Sequence, residues 1–314
     1  MNPGQERLSW SQPLWDRLNK AVHDETQRIR VASKFLPLHG PVEVGTLTVP
    51  SDTIVIAAQQ PLMVNEAICE PLIEIWVEFL LTAQQVARED ELMTAITLAT
   101  RATNLLSQAE DALLLLGQSA IAGRRAGPGG QPPAIPQNPL FVNNQVRWRS
   151  GPAGTGLLGW NLPATQVVPV PIDNPGPPVR YGENTFGAVE DAYARLQGNG
   201  HYGPYALVLP TRAYADAHAP LANTLIMPAD RIRPLVTHGE MTHFYGTGTL
   251  PEDSGVMVSL GGNSMDLVVG MDATAAFMQD DTEGRCRFRV FERFALRLKD
   301  NTAVIRLNFE QRQP

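Results

Sequence analysis

The residues of this 314-residue chain that could carry chemistry are few, and their spacing is poor for it. His238-Gly-Glu-Met-Thr-His243 has the composition of a zinc-protease helix, in which two histidines one turn apart hold the metal and a glutamate activates water. Here the histidines are five residues apart, so they do not share a helical face, and an exposed loop is expected. Gly154-Thr-Gly156-Leu-Leu-Gly159 spells GxGxxG, which binds a dinucleotide only when a strand precedes it and a helix follows. A Pro/Gly-rich loop precedes it and Trp160-Asn161-Leu162-Pro163 follows, which makes it a chance match. No GxSxG elbow, P-loop lysine motif or defensible Ser/His/Asp order exists. Asp272, the single acid within LVVGMDATAAF, reads as a strand-end or turn residue, with ligand contact as the alternative. Cys69 and Cys286 lie far apart in apolar settings without CxxC spacing and read as two buried thiols. The residues offer no catalytic set, no metal site and no cofactor site, so the chain reads as a non-enzyme.

Composition narrows the class further. A hydrophobic fraction of 43% and a mean hydropathy of −0.14 are ordinary for a soluble protein with a sizeable core. The formal net charge of −7 makes wholesale nucleic-acid binding unfavourable, although a local basic face could still act. The opening MNPGQERLSW shows no basic-then-apolar leader, and no apolar run is long enough to span a membrane. A cytoplasmic, reduced, soluble protein is expected.

The elements that must position these residues centre on RCRFRVFERFALRLK, residues 285–299. Cys286, Phe288, Val290, Glu292, Phe294, Leu296 and Leu298 alternate with Arg285, Arg287, Arg289, Arg293 and Arg297, the period-two signature of a strand with one face in a core. The strand would run about 50 Å. Asp300-Asn301-Thr302 would turn it into a hairpin with 303–309. Its cationic face suits acidic surface on another subunit. Upstream, Ser11-Gln12-Pro13 caps a helix over 14–33, and 42–56 reads as an extended arm with little core of its own. The pattern is taken as helical from Trp76, with the longest helix over 87–116 ending at Gly117. Residues 122–154, rich in Gly and Pro, read as an inserted surface loop. A helix over 184–197, a buried strand at 205–210, a helix from Thr211 and strands at 256–260 and 265–278 complete the outline.

Four stretches together resemble family 1 encapsulins, bacterial shell proteins related to tailed-phage major capsid proteins. They are LWDRLNKAVHDETQRIRVASKFLPLHGP (14–41), PLIEIWVEF (71–79) with AEDALLLLG (109–117), GHYGPYALVLPTRAY (200–214) and MDLVVGMDATAAF (265–277). The resemblance implies an α+β protein with the HK97-like phage capsid fold. Its expected parts are an N-terminal helix and arm (1–41), an extended E-loop (42–70), and a peripheral P-domain with spine helix (71–156) that carries the 122–154 insertion. An axial A-domain (157–255) and the long P-domain strands (256–314) follow. The implied function is a self-assembling icosahedral nanocompartment, in multiples of sixty copies, enclosing a ferritin-like iron oxidase or a dye-decolourising peroxidase through its C-terminal targeting peptide. By position, the cargo-peptide groove would comprise Arg30, Ser33, Phe35, Pro37, Asp272 and Ala275. The five-fold pore loop would comprise His218, Pro220, Leu221, Asn223 and Thr224. The flavin-binding aromatic of some family shells has no counterpart at Ala83-Gln84-Gln85, so no cofactor is carried over. The implied partners are the chain itself and its cargo; neither membrane nor nucleic acid is expected. A prophage major capsid protein of the same fold is the alternative, and a bacteriocin or protease activity the more distant one.

Overall fold

The computed structural model describes residues 3–55, 61–127, 134–149, 154–159, 162–174, 179–221 and 224–311. Helix α1 (Gln12–Ile29) starts behind Ser11 with Pro13 in its first turn, and buries Leu14, Trp15, Leu18 and Val22 on one side. It is shorter than its apolar pattern predicts: a 3₁₀ turn at Ala32–Lys34 replaces the last turn. The amides of Val31 and Ala32, which a longer helix would use internally, donate instead to the Asp111 carboxylate.

After α1 come β1 (Leu38–His39), the short strands β2 (Thr48–Pro50), β3 (Thr53–Val55), β4 (Met63–Asn65) and β5 (Cys69–Pro71), and then β6 (Ile73–Thr82). Short helices α2 (Ala83–Ala87) and α3 (Glu89–Leu92) lead into the spine helix α4 (Thr94–Leu116). Next follow α5 (Gln118–Ala122), α6 (Pro139–Val142), β7 (Arg147–Arg149), α7 (Gly156–Gly159) and β8 (Val167–Val170). The third part holds α8 (Glu183–Gly198), β9 (Tyr205–Pro210), α9 (Thr211–Ala217), α10 (Pro228–Val236), β10 (Thr237–His238), β11 (Met241–Thr242) and β12 (Phe244–Thr247). Strands β13 (Ser254–Ser259), β14 (Met265–Asp280), β15 (Arg285–Leu298) and β16 (Val304–Phe309) close the chain.

Two five-stranded sheets organise these elements. The first has the order β1-β14-β15-β6-β7, with α4 packed on β6 and β15 and α1 packed on α4 and β14. The second has the order β12-β9-β13-β16-β8, covered by α8, α9 and α10. One apolar core joins the first sheet, α1 and α4 to one face of the second sheet through Ala206, Val208, Val256, Val258 and Val304, and another lies between the second sheet's other face and α8, α9 and α10. Phe288 is fully buried in the first; Phe79 stacks on it at 5.3 Å between ring centres, Trp10 also at 5.3 Å, and Phe277 meets it edge-on at 5.4 Å.

Four expectations need correction. Residues from Trp76 form strand and not helix, because Ile73, Ile75, Val77, Phe79 and Leu81 are buried at every second position. The long strand does not turn back on 303–309. Its antiparallel partners are β14 and β6, joined to β14 by a turn in which Asp281 accepts the amides of Glu283 and Arg285. At Leu298 the chain leaves the first sheet, and β16 enters the second between β13 and β8. A boundary at 255/256 therefore does not separate the two sheets: β13 and β16 complete the one begun by β8 and β9. The 122–154 segment is more than a surface loop, since β7 adds an edge strand to β6 while Ile135, Phe141 and Val146 are buried.

The arm matches its extended prediction. Two-stranded ribbons β2–β5 and β3–β4 carry it, with Val44, Leu47, Leu62, Met63, Val64 and Ile68 all exposed. Cys286 is buried as expected, but Cys69 lies exposed on the arm, at the start of β5 and outside the small cluster that buries Val49 of the paired strand.

Phe288→Ala should lower the unfolding free energy by about 3–5 kcal/mol, the usual cost of emptying a packed aromatic site. Denaturant titration checks this, and an unchanged midpoint would show that the stack contributes little.

Candidate functional site

A cleft of about 580 Å³ opens where α1 ends, bounded by the α1 exit, β1 and the middle of β14 and β15. Arg30 stands at its base. This residue caps α1 in an extended conformation, which turns its side chain from the helix toward the sheet. Its guanidinium pairs with Glu110 of α4, Glu292 of β15 and Asp272 of β14, the last at 2.8 Å. Glu110 and Glu292 are buried, whereas Asp272 is exposed on the rim. Two register irregularities in β14, at Val269/Met271 and Met271/Thr274, throw Asp272 outward. The Asp272 carboxylate also accepts the Ala273 amide, at 2.8 Å.

The electrostatics follow from burial. Desolvation pushes the Glu292 carboxyl up to about 7 against the pull of Arg30. Desolvation and repulsion from Glu292 hold Glu110 well above the usual carboxylate range, with Arg30 opposing. Burial raises Asp111 to about 6, and the amides of Ala32 and Val31 limit the rise. Burial works against the charge of Arg30, but attraction by Glu292, Glu110 and Asp272 outweighs it and raises its pKa. One cation thus joins the end of α1 to the spine helix and to both long strands.

Of the groove residues expected from the sequence, Arg30, Ser33 and Asp272 line the cleft together. The others do not. Phe35 is buried in the first core and stacks on Tyr245 at 5.9 Å, because the 3₁₀ turn after α1 directs it inward. Ala275 is fully buried in the same core. Pro37 is half-buried and its carbonyl accepts the Leu267 amide at 2.8 Å, anchoring the entry to β1. Glu110 and Glu292 were not among the expected residues. The signals were present: Glu292 interrupts the apolar alternation of its strand, and Glu110 sits inside the buried stripe of the spine helix.

Of the five arginines on this face, Arg285, Arg287, Arg289 and Arg297 find counter-charges within the chain. Arg287 pairs with Glu78 and Arg289 with Glu74, both across from β15 on β6, at 3.3 and 3.0 Å. Arg285 pairs with Asp281 at 2.8 Å and with Glu283 at 2.9 Å. Arg293 donates to the Thr46 carbonyl at 2.6 Å. Arg297 is buried, forked onto Asp266 with both bonds at 2.7 Å, and reaches Asp52 on the arm at 2.7 Å. The antiparallel register sets Glu78 opposite Arg289 and Glu74 opposite Arg293, and the ion pairs run diagonally across it, from Arg287 to Glu78 and from Arg289 to Glu74.

In the loop after α9, Pro220, Thr224, Leu225 and Ile226 are exposed and Leu221 is half-buried, while Asn223 lies outside the described residues. His218 turns back into the domain. It stacks on Phe244 at 5.5 Å, its Nδ1 donates to the Tyr214 carbonyl at 2.9 Å, and its Nε2 accepts from Arg233 at 3.1 Å. The expected histidine loop is instead the tight β10–β11 ribbon, with His238 exposed and His243 buried beside Tyr245. The GxGxxG glycines pack under the end of the spine helix: a Cβ on Gly156 would lie 2.3 Å from the Gly117 nitrogen. Among the described residues, no group of three or more His, Cys, Asp or Glu is placed to hold a metal, and no helix is long and apolar enough to cross a membrane.

Comparison with known proteins bears on this geometry. The solved virus-like particle of Pyrococcus furiosus superimposes with a TM-score of 0.64, covering 94% of this chain and 99% of that one at 15% identity. The capsid of myovirus XM1 does so with a TM-score of 0.54 at 12% identity, covering 89% of this chain and 92% of that one. These likenesses show the HK97-like capsid fold. In sequence, the type 1 encapsulin shell protein EncA of Myxococcus xanthus is 28% identical over 306 residues, covering 93% of this chain and 91% of the relative. A diheme-cytochrome–encapsulin shell fusion protein of Kuenenia stuttgartiensis is 24% identical, covering 93% of this chain and 72% of the relative. The family model described as an encapsulating protein for peroxidase matches residues 5–140 and 171–295. With the capsid fold and most of the chain matched by the family model, this chain belongs to the encapsulin family of shell proteins.

Proposed function

We propose that copies of this chain close into a hollow icosahedral compartment in the cytoplasm, in multiples of sixty. The cleft beside Arg30 would receive the C-terminal peptide of an enclosed enzyme. The observation that carries the assembly reading is the arm: Val44, Leu47, Leu62, Met63, Val64 and Ile68 are exposed, and only Val49 of its ribbon strands joins an apolar cluster, with Leu72, Val268 and Ala295. A lone subunit leaves that surface in water, and a neighbouring copy can bury it. The family's description as encapsulating proteins for peroxidase favours a peroxidase of the dye-decolourising kind as cargo over a ferritin-like iron oxidase. The P-domain then corresponds to the first sheet with α1 and α4, the A-domain to the second, and the E-loop to the arm. The loop at Pro220, Leu221 and Thr224, with exposed Leu225 and Ile226, would rim the five-fold pore; it presents apolar and neutral groups, with His218 held inside.

A prophage capsid protein of the same fold is the second reading. The capsid likenesses support the fold equally for both, whereas the family match and the 28% identity to a shell protein support the compartment.

Purified protein should sediment as particles and show closed shells by electron microscopy; a stable monomer or dimer across salt and pH would overturn the assembly reading. The double substitution Ser33→Trp with Asp272→Ala fills the cleft and removes its rim charge. It should leave particles intact and cut cargo enzyme recovered with them by about tenfold or more, on the scale of 1.4 kcal/mol per decade of affinity. Undiminished cargo by mass spectrometry counts against the cleft as the docking site.

A further inference from the structure

The cluster at the base of the cleft holds one guanidinium among three carboxylates, each on a different element. Glu110 and Glu292 are each 2% exposed. The Oε1 of Glu292 is buried and has no hydrogen-bond partner among the described residues. Asp111, next to Glu110, is held by the Val31 amide at 2.9 Å and the Ala32 amide at 2.8 Å. The surrounding charges are engaged elsewhere. Arg28 forks onto Glu25, which also accepts from Asn104; Lys34 reaches the Arg28 carbonyl; Arg293 donates to Thr46. His39 lines the opposite wall of the cleft. Lys34 and Arg293 keep their charges near the cleft, but among the described residues Arg30 is the one cation paired with the two buried acids. Both can ionise at once only at a large desolvation and repulsion cost, unless the site opens to water.

We propose that Arg30, Glu110, Glu292 and Asp272 form a proton-operated latch on the cleft. With a proton retained between Glu110 and Glu292, Arg30 pins the end of α1 to the sheet and to the Asp272 rim. Loss of that proton leaves two buried negative charges facing one cation, and the α1 exit detaches to hydrate them. The use of the latch, as a control on peptide docking, rests on the proposed role of the cleft; its operation does not.

The sign follows from the raised pKa values in the closed state. A carboxyl near about 7 when closed returns toward its ordinary 4.5 when open, so closure is favoured fully at low pH and loses ground as pH rises toward about 7. Glu110 extends the effect upward, and Asp111, near about 6, adds to it with the same sign.

Hydrogen exchange on assembled full-length particles reads this directly, at about pH 5 to about pH 8 and corrected for intrinsic exchange. Protection of the amides at residues 30–36 should fall by about tenfold or more per pH unit between about pH 5 and about pH 7, since each coupled proton contributes one decade per unit. Amides of β9 should stay flat. Glu292→Gln should reduce the slope by about one decade per pH unit. Should that variant not assemble, Glu110→Gln gives the same readout. A flat wild-type profile, or a slope unchanged in the variant that assembles, overturns the latch. Cargo recovery at one fixed pH tests the docking role separately, so the two failures are distinguishable.

Discussion

Everything in the first sheet depends on β15 being hydrogen-bonded along both edges while its apolar side lies under the spine helix. Antiparallel pairing to β14 and β6 covers nearly the whole of its length. Phe288, Val290 and Phe294 then bury against α4 and the aromatic stack. At about 25 cal/mol per Å² of apolar surface, that side supplies the stability. The arginine side supplies register and solubility. Half-exposed pairs such as Arg287–Glu78 contribute about 0–1 kcal/mol each at most. Their value lies in fixing which residue of β6 faces which residue of β15, and in leaving an outer surface of paired charge.

Much of this was legible in the sequence because it depends on periodicity. The alternation through 285–298 reads as a strand, the alanine-rich stripe of α4 as a helix meeting a close surface, and the Pro-bounded run at 205–210 as a buried strand. What periodicity cannot state is the partner. Local turn chemistry at Asp300-Asn301-Thr302 suggests a hairpin, yet the 3₁₀ turn there carries β16 into a different sheet. The same gap explains the arginines, whose counter-charges on Glu74 and Glu78 lie more than 200 positions upstream. Trp76 to Thr82, a bulky run before a long helix, resembles that helix's first turns in sequence, and alternate burial settles it as strand.

The cleft was partly legible. The family resemblance brought Arg30, Ser33 and Asp272 together, but it could not tell that Phe35 and Ala275 point the other way. Half a turn of 3₁₀ geometry after α1 decides the direction of Phe35, and the bulges of β14 decide which of its side chains face out. Glu110 and Glu292 are visible in the sequence only as acids in apolar surroundings. Their meaning comes from a third residue, Arg30, distant from both in the chain. Buried ion clusters of this kind add little net stability over an apolar filling, so their presence at a junction of four elements is better understood through the site they border.

The placement of β16 has a temporal consequence. It lies between β13 and β8, in the interior of the second sheet, and its residues 304–309 leave the ribosome after all the other strands of both sheets. Until then β8 has no neighbour with which to complete its ladder, and the apolar side of α8 that rests on β16 stays uncovered. Domains generally fold as units during synthesis, but here the second one cannot close on the nascent polypeptide. Cage building therefore draws on chains translated past Phe309, and a product truncated before it lacks the strand that completes the second sheet.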